Sequence, residues 1–78
     1  MQITPDQIRA ARALLRLEQG ELAERAEVSV VTVRRLETKH GGKRVAPGTL
    51  ARVRAALEEA GAEFIPGGMR TKSFTAAS

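Results

Sequence analysis

Apolar residues recur at helical spacing along most of this chain, and turn-forming residues break the pattern into four segments. Ile8, Ala11 and Leu15 share one face of the first. Thr4-Pro5-Asp6-Gln7 ahead of them is a helix start: Thr4 caps, Pro5 takes the first helical position, and Gln7 completes a capping box. The spacing predicts a first helix from Pro5 to Leu17, with Arg9, Arg12 and Arg16 as a second stripe. Leu22, Ala23 and Ala26 predict a second helix from Gln19 to Ala26. Gly20 within it costs about 0.5–1 kcal/mol relative to alanine, less in the first turn. Ser29 is a good cap for a third helix reaching Thr38, with Val33 and Leu36 turned inward. The β-branched run from Val30 to Val33 disfavours helix. The cap before it and the helical spacing of Arg34-Arg35-Leu36-Glu37 after it outweigh that propensity. Leu50, Val53, Leu57 and Ala60 predict a fourth helix from near Thr49 to Ala60, stopped by Gly61. His40 to Arg44 form the loop before it, ended by Pro47 and Gly48. Beyond Gly61, Glu63-Phe64-Ile65, the turn Pro66-Gly67-Gly68 and a returning strand from Met69 to Phe74 predict a small hairpin. Thr75 to Ser78 are expected to fray.

This pattern makes a mainly α, compact four-helix domain over residues 1–61, followed by a strand or hairpin tail over 62–78. Seventy-eight residues leave no room for a second domain. With no cysteine, neither a disulfide nor a thiolate metal site is available to hold so small a core. Dimerisation is a common way for such a chain to add buried area. Two Phe and no Trp or Tyr offer few stacking platforms, which argues against a single-strand nucleic-acid binder. No apolar run reaches membrane-spanning length and no apolar signal core opens the chain, so a cytoplasmic location is expected.

Charge is unevenly placed. The net charge is +4, yet Glu18, Glu21, Glu24 and Glu27 cluster around the second helix. From Arg34 to Arg54 the chain carries Arg34, Arg35, Lys39, Lys43, Arg44, Arg52 and Arg54 against Glu37 alone. Such a block suits a phosphate backbone, although a solvated basic face has the same composition. Two short helices with a tight turn between them, the second bearing Arg34 and Arg35, suit a helix-turn-helix that reads duplex DNA in the major groove. Catalysis is not expected. His40 is the only histidine, and no cysteine, second histidine or evident carboxylate pair accompanies it. Gly41-Gly42-Lys43 lacks P-loop spacing. No cofactor, metal or small-molecule ligand is expected.

Gln19, Leu22-Ala23, Ala26, Val28-Ser29, Val33 and Leu36-Glu37 resemble the lambda-repressor-like helix-turn-helix family, also called the xenobiotic-response-element family. The likeness spans Ile8 to Ala60, and the tail resembles the C-terminal hairpin of some small bacterial members. The resemblance implies a symmetric dimer on a palindromic operator in double-stranded DNA. It implies base-edge contacts from Ser29, Val30, Val31 and Arg35, with Thr32 and Arg34 nearer the backbone. Arginine pairs with guanine, and valine meets only the thymine methyl. The alternative for one of the two valines is packing against the second helix. Gln19 would lie against a phosphate, and Lys39, Lys43 and Arg44 would clamp the backbone or simply be solvated. Arg12 and Glu37 match a family pair joining the first helix to the end of the third, of structural purpose. Phe64, Ile65, Met69 and Phe74 of the tail are the expected dimer contact, with the end of the fourth helix as the alternative.

Three residues depart from the family pattern. Glu18 stands where a Ser, Thr or Asn cap is usual, which leaves the second helix poorly capped and places negative charge near the expected phosphate. Glu27 and Arg16 occupy positions where glycine is frequent. The reading is a stand-alone repressor of its own operon. The alternatives are the DNA-binding antitoxin of a toxin–antitoxin pair, marked by an exposed apolar patch on the fourth helix or tail, and an interaction module without DNA binding.

Overall fold

The computed structural model describes residues 3–38, 45–66 and 68–71. Four helices are followed by an antiparallel hairpin: α1 (Pro5–Leu15), α2 (Gln19–Ala26), α3 (Val30–Leu36), α4 (Pro47–Glu59), β1 (Ala62–Ile65) and β2 (Gly68–Thr71).

The ends of α1 follow from named residues. Thr4 Oγ1 accepts from the Gln7 backbone N–H at 3.1 Å, and Gln7 Oε1 accepts from the Thr4 N–H at 2.9 Å. This is the expected capping box. The helix stops at Leu15, two residues before the predicted end, because Arg16 is left-handed at φ 57°. Arg16 N–H bonds Ala13 O at 3.2 Å and Leu17 N–H bonds Arg12 O at 2.9 Å, a Schellman turn that swings Leu17 into the core.

The same device ends α2. Glu27 has φ 60°; its N–H bonds Glu24 O at 3.2 Å and Val28 N–H bonds Ala23 O at 3.0 Å. A side chain in the left-handed region costs about 1–2 kcal/mol. Part of that returns on substitution by glycine, less about 0.4–1 kcal/mol for the greater freedom of the unfolded chain. Glu27→Gly is therefore expected to stabilise the domain by about 0.5–1 kcal/mol. Urea denaturation checks it, through a higher midpoint at unchanged slope. A lower midpoint would mean that the carboxylate stabilises the turn by more than its backbone strain.

At the start of α2, the Glu21 carboxylate accepts from the Glu18 N–H at 2.9 Å. That return bond satisfies one donor at an end whose cap residue is unfavourable. Ser29 Oγ accepts from Thr32 N–H at 3.2 Å and starts α3. α3 ends at Leu36, two residues short of the predicted Thr38, whose hydroxyl donates to Arg35 O at 2.8 Å. α4 begins at Pro47 rather than near Thr49. Proline suits a first turn, where its missing N–H has no intrahelical acceptor and its φ is already helical. α4 ends at Glu59, one residue before the predicted Ala60.

The helices enclose one core. Ile8, Leu22, Leu36, Leu57, Val33 and Val53 are its largest fully buried side chains. α2 packs on α3 and α4, and α1 on α4. Ala56 joins the core beside the predicted Val53 and Leu57, while Leu50 and Ala60 pack against it only half-buried.

The hairpin is part of the same body. β1 and β2 pair Ala62 with Thr71 and Phe64 with Met69. Ala62 and Phe64 are buried and Met69 packs against the core. β1 lies on α4 and both strands lie on α1. The Arg54 guanidinium sits 5.7 Å from the Phe64 ring centroid, a cation–π contact. Gln7 Nε2 donates to Ile65 O at 3.1 Å and Gly68 O at 2.6 Å, so a side chain of α1 closes the base of the hairpin turn. The strands therefore complete the helical core, and a boundary after Gly61 does not separate them from it. The predicted return strand began at Met69; β2 begins one residue earlier, and Phe74 lies outside the described residues.

Candidate nucleic-acid interface

α2 and α3 are joined by only Glu27, Val28 and Ser29. Leu22, Ala23 and Ala26 of α2 and Val33 and Leu36 of α3 are buried against the core. With period 3.6, burying Val33 and Leu36 turns Val31, Arg34 and Arg35 outward, and all three are exposed. Val31 is 47% exposed.

The other positions expected to touch DNA fare differently. Val30 is half-buried and packs against the core, because it lies one turn from Val33. Of the two valines named as base contacts, Val31 alone stands clear of the core. Ser29 is exposed, but its oxygen is engaged in the α3 cap and lies 3.0 Å from Thr32 Oγ1. Thr32 is half-buried. Gln19 donates from its amide to Glu37 Oε1 at 3.0 Å, which ties the side chain expected at a phosphate to an internal carboxylate. Lys39, Lys43 and Arg44 lie outside the described residues.

Arg12 and Glu37 form the expected pair. Arg12 Nε and Nη2 donate to Glu37 Oε2 and Oε1 at 2.5 and 2.9 Å, a two-point guanidinium–carboxylate contact. Arg12 Nη1 also donates to Leu17 O at 3.0 Å. The Glu37 side chain is only 6% exposed. Arg9 donates to the Glu37 backbone carbonyl and to the Asp6 carboxylate. Burial pushes the Glu37 carboxyl upward, but hydrogen bonds from Arg12 and Gln19 and the nearby charges of Arg12 and Arg9 outweigh it and hold it below its ordinary range. The bond to Glu37 raises the Arg12 guanidinium. The C-terminal end of α3 is thus fixed to α1 and to the first residue of α2 by one carboxylate. Helical spacing gives no sign of the Gln19 and Arg9 contacts, because they join residues 18 and 28 apart in sequence.

Among the expected dimer contacts, Phe64 is committed to the core of its own chain, and Ile65 and Met69 are half-buried. The Phe64 ring lies under Arg54 of α4. The exposed large hydrophobic residues among those described are Leu14 of α1 and Val31 of α3. Neither lies on α4 or the described hairpin, where an exposed apolar patch would mark the antitoxin alternative. No helix among the described residues is long and apolar enough to cross a membrane.

The chain matches no protein-family model and no curated protein by sequence.

Proposed function

We propose that this protein is a lambda-repressor-like, sequence-specific binder of double-stranded DNA that acts as a homodimer, lays α3 in the major groove, and represses its own operon. The observation that carries the reading is the division of α3 into two faces. Val33 and Leu36 anchor the helix, and Val31, Arg34 and Arg35 project from it beside a three-residue turn. Arg35 supplies two-point hydrogen bonding to guanine, and Val31 an apolar contact for a thymine methyl. Arg34 pairs with the backbone and fixes register. The Arg12–Gln19–Glu37 network supports the reading by holding α3 rigid against α1 and α2.

Selection from randomised duplex DNA, with the winners titrated over salt, tests it. The expected result is a palindromic consensus whose half-sites lie about 34–36 Å apart, with affinity falling steeply as salt rises. Salt-dependent binding without a consensus overturns sequence recognition, and no binding overturns DNA recognition altogether. Arg35→Ala is expected to lose about 1–3 kcal/mol of binding and to relax preference at one base position. Repeating the selection checks it, and an unchanged consensus would remove Arg35 from base contact. Sedimentation of the free protein and of its complex with the consensus duplex tests the dimer.

A further inference from the structure

A cleft of about 720 Å³ opens where the end of α1, the start of α2 and the start of α3 meet. Arg12, Arg16, Glu18, Gln19 and Arg34 stand in its walls. The Arg12 charge is matched by Glu37. Arg16 and Arg34 are different: among the described residues neither has a carboxylate partner. Two guanidinium groups, one from the residue that caps the end of α1 and one from α3, therefore line one concave surface with a single acid, Glu18, beside them. Guanidinium groups lining one hollow offer positive charge and planar donors, which a phosphate oxyanion takes in two-point bonds.

Arg16 reaches this wall from a strained backbone. Its φ is 57°, in the region where glycine is at ease. The Schellman turn that ends α1 needs the conformation but not the side chain. A charged residue held in strain at the rim of a cleft fits a side chain kept for contact with a ligand. Arg34 and Val30 belong both to this cleft and to α3, so an anion held here lies beside the helix assigned to the major groove.

We propose that Arg16 and Arg34 together clamp one phosphodiester of the DNA backbone in this cleft, so that α1 holds the duplex alongside α3. This rests on the reading of α3 as the groove-entering helix. The clamp sets register and reads no base, and Glu18 moderates its strength.

Arg16→Gly tests it, because it removes charge and backbone strain together. The expected result is a protein that melts at a higher temperature yet binds every duplex about five- to tenfold more weakly. The slope of log affinity against log salt becomes shallower by about 0.9 for the lost phosphate contact. Arg16→Lys, which keeps the charge, recovers most of that slope. Arg34→Gln gives a similar loss, and the double variant loses less than the sum of the two, because both side chains share one phosphate. If the wild-type protein selects a consensus and Arg16→Gly binds it with unchanged affinity and slope, the clamp is overturned and the groove assignment of α3 stands. A loss confined to one base position also overturns it, by making Arg16 a base reader. If the wild-type protein binds no duplex, the clamp and the proposed function fall together. Inorganic phosphate separates the two sources of the anion. Saturation of the wild-type cleft at micromolar phosphate, with DNA binding by Arg16→Gly unaltered, assigns the site to a free anion instead.

Discussion

Glu37→Ala is expected to lower the unfolding free energy by about 3–5 kcal/mol, the loss typical of breaking a buried ion pair from one side. The carboxylate accepts from Arg12 twice and from Gln19 once. Its removal leaves the half-buried Arg12 guanidinium with Leu17 O but no carboxylate, and frees the amide at the start of α2. Small domains are stable by only about 5–15 kcal/mol, so the variant should be partly unfolded at modest temperature. Circular dichroism with urea titration measures this, and a change below about 1 kcal/mol would show the pair to be no stronger than a solvated one. The same residue sets an acid limit. The carboxyl is held lower in the folded chain than in the unfolded one. Its stabilisation is complete above the ordinary glutamate range, about 4.3, and is lost as pH falls through the lowered folded value. Glu37→Gln should flatten stability against pH below that range, leaving it less stable at neutrality. An acid limb as steep as the wild type's would place the titration elsewhere.

Gln7→Ala is expected to cost about 3 kcal/mol, on the order of 1 kcal/mol for each of three hydrogen bonds. One is the return bond of the capping box, and the other two hold Ile65 O and Gly68 O at the base of the hairpin. Gln7→Glu separates the roles. It keeps an acceptor for the cap but aims a carboxylate at two carbonyl oxygens, so it should be no milder than alanine. A Gln7→Glu protein of wild-type stability would show that the hairpin is held by Phe64 and Ala62 alone. Hydrogen exchange reads the cause directly, because Gln7→Ala should speed exchange of the β1 and β2 amides before those of α3.

Much of this architecture is legible in the residues, for identifiable reasons. The Thr4–Gln7 box, the Ser29 cap and the spacing of Leu22, Ala23, Ala26, Val33 and Leu36 are local signals, and each fixes its element in the structure. The ends of α1 and α4 are less legible. Arg16 adopts a glycine-like backbone with nothing in its side chain to announce it, and Pro47 reads as a loop terminator although it opens a helix. The site divides in the same way. Exposure of Val31, Arg34 and Arg35 follows from period 3.6 once Val33 and Leu36 face inward. The inward packing of Val30, the turn of Gln19 toward Glu37 and the place of Phe64 in the core depend on neighbours distant in sequence. The second task of Gln7 was the least visible, because one amide serves a helix cap locally and a hairpin 58 residues away.

That span bears on how the protein is made. Synthesis delivers the chain from its N-terminus, and α1 leaves the ribosome long before its partners at Ile65 and Gly68 exist. Closing contacts of such separation must wait for the loop between them. Until β1 and β2 emerge, Gln7 has no carbonyls to hold and the core lacks Ala62 and Phe64. The domain is therefore completed only once the hairpin has been synthesised, and a nascent chain stalled after α4 lacks the side chains that close its core.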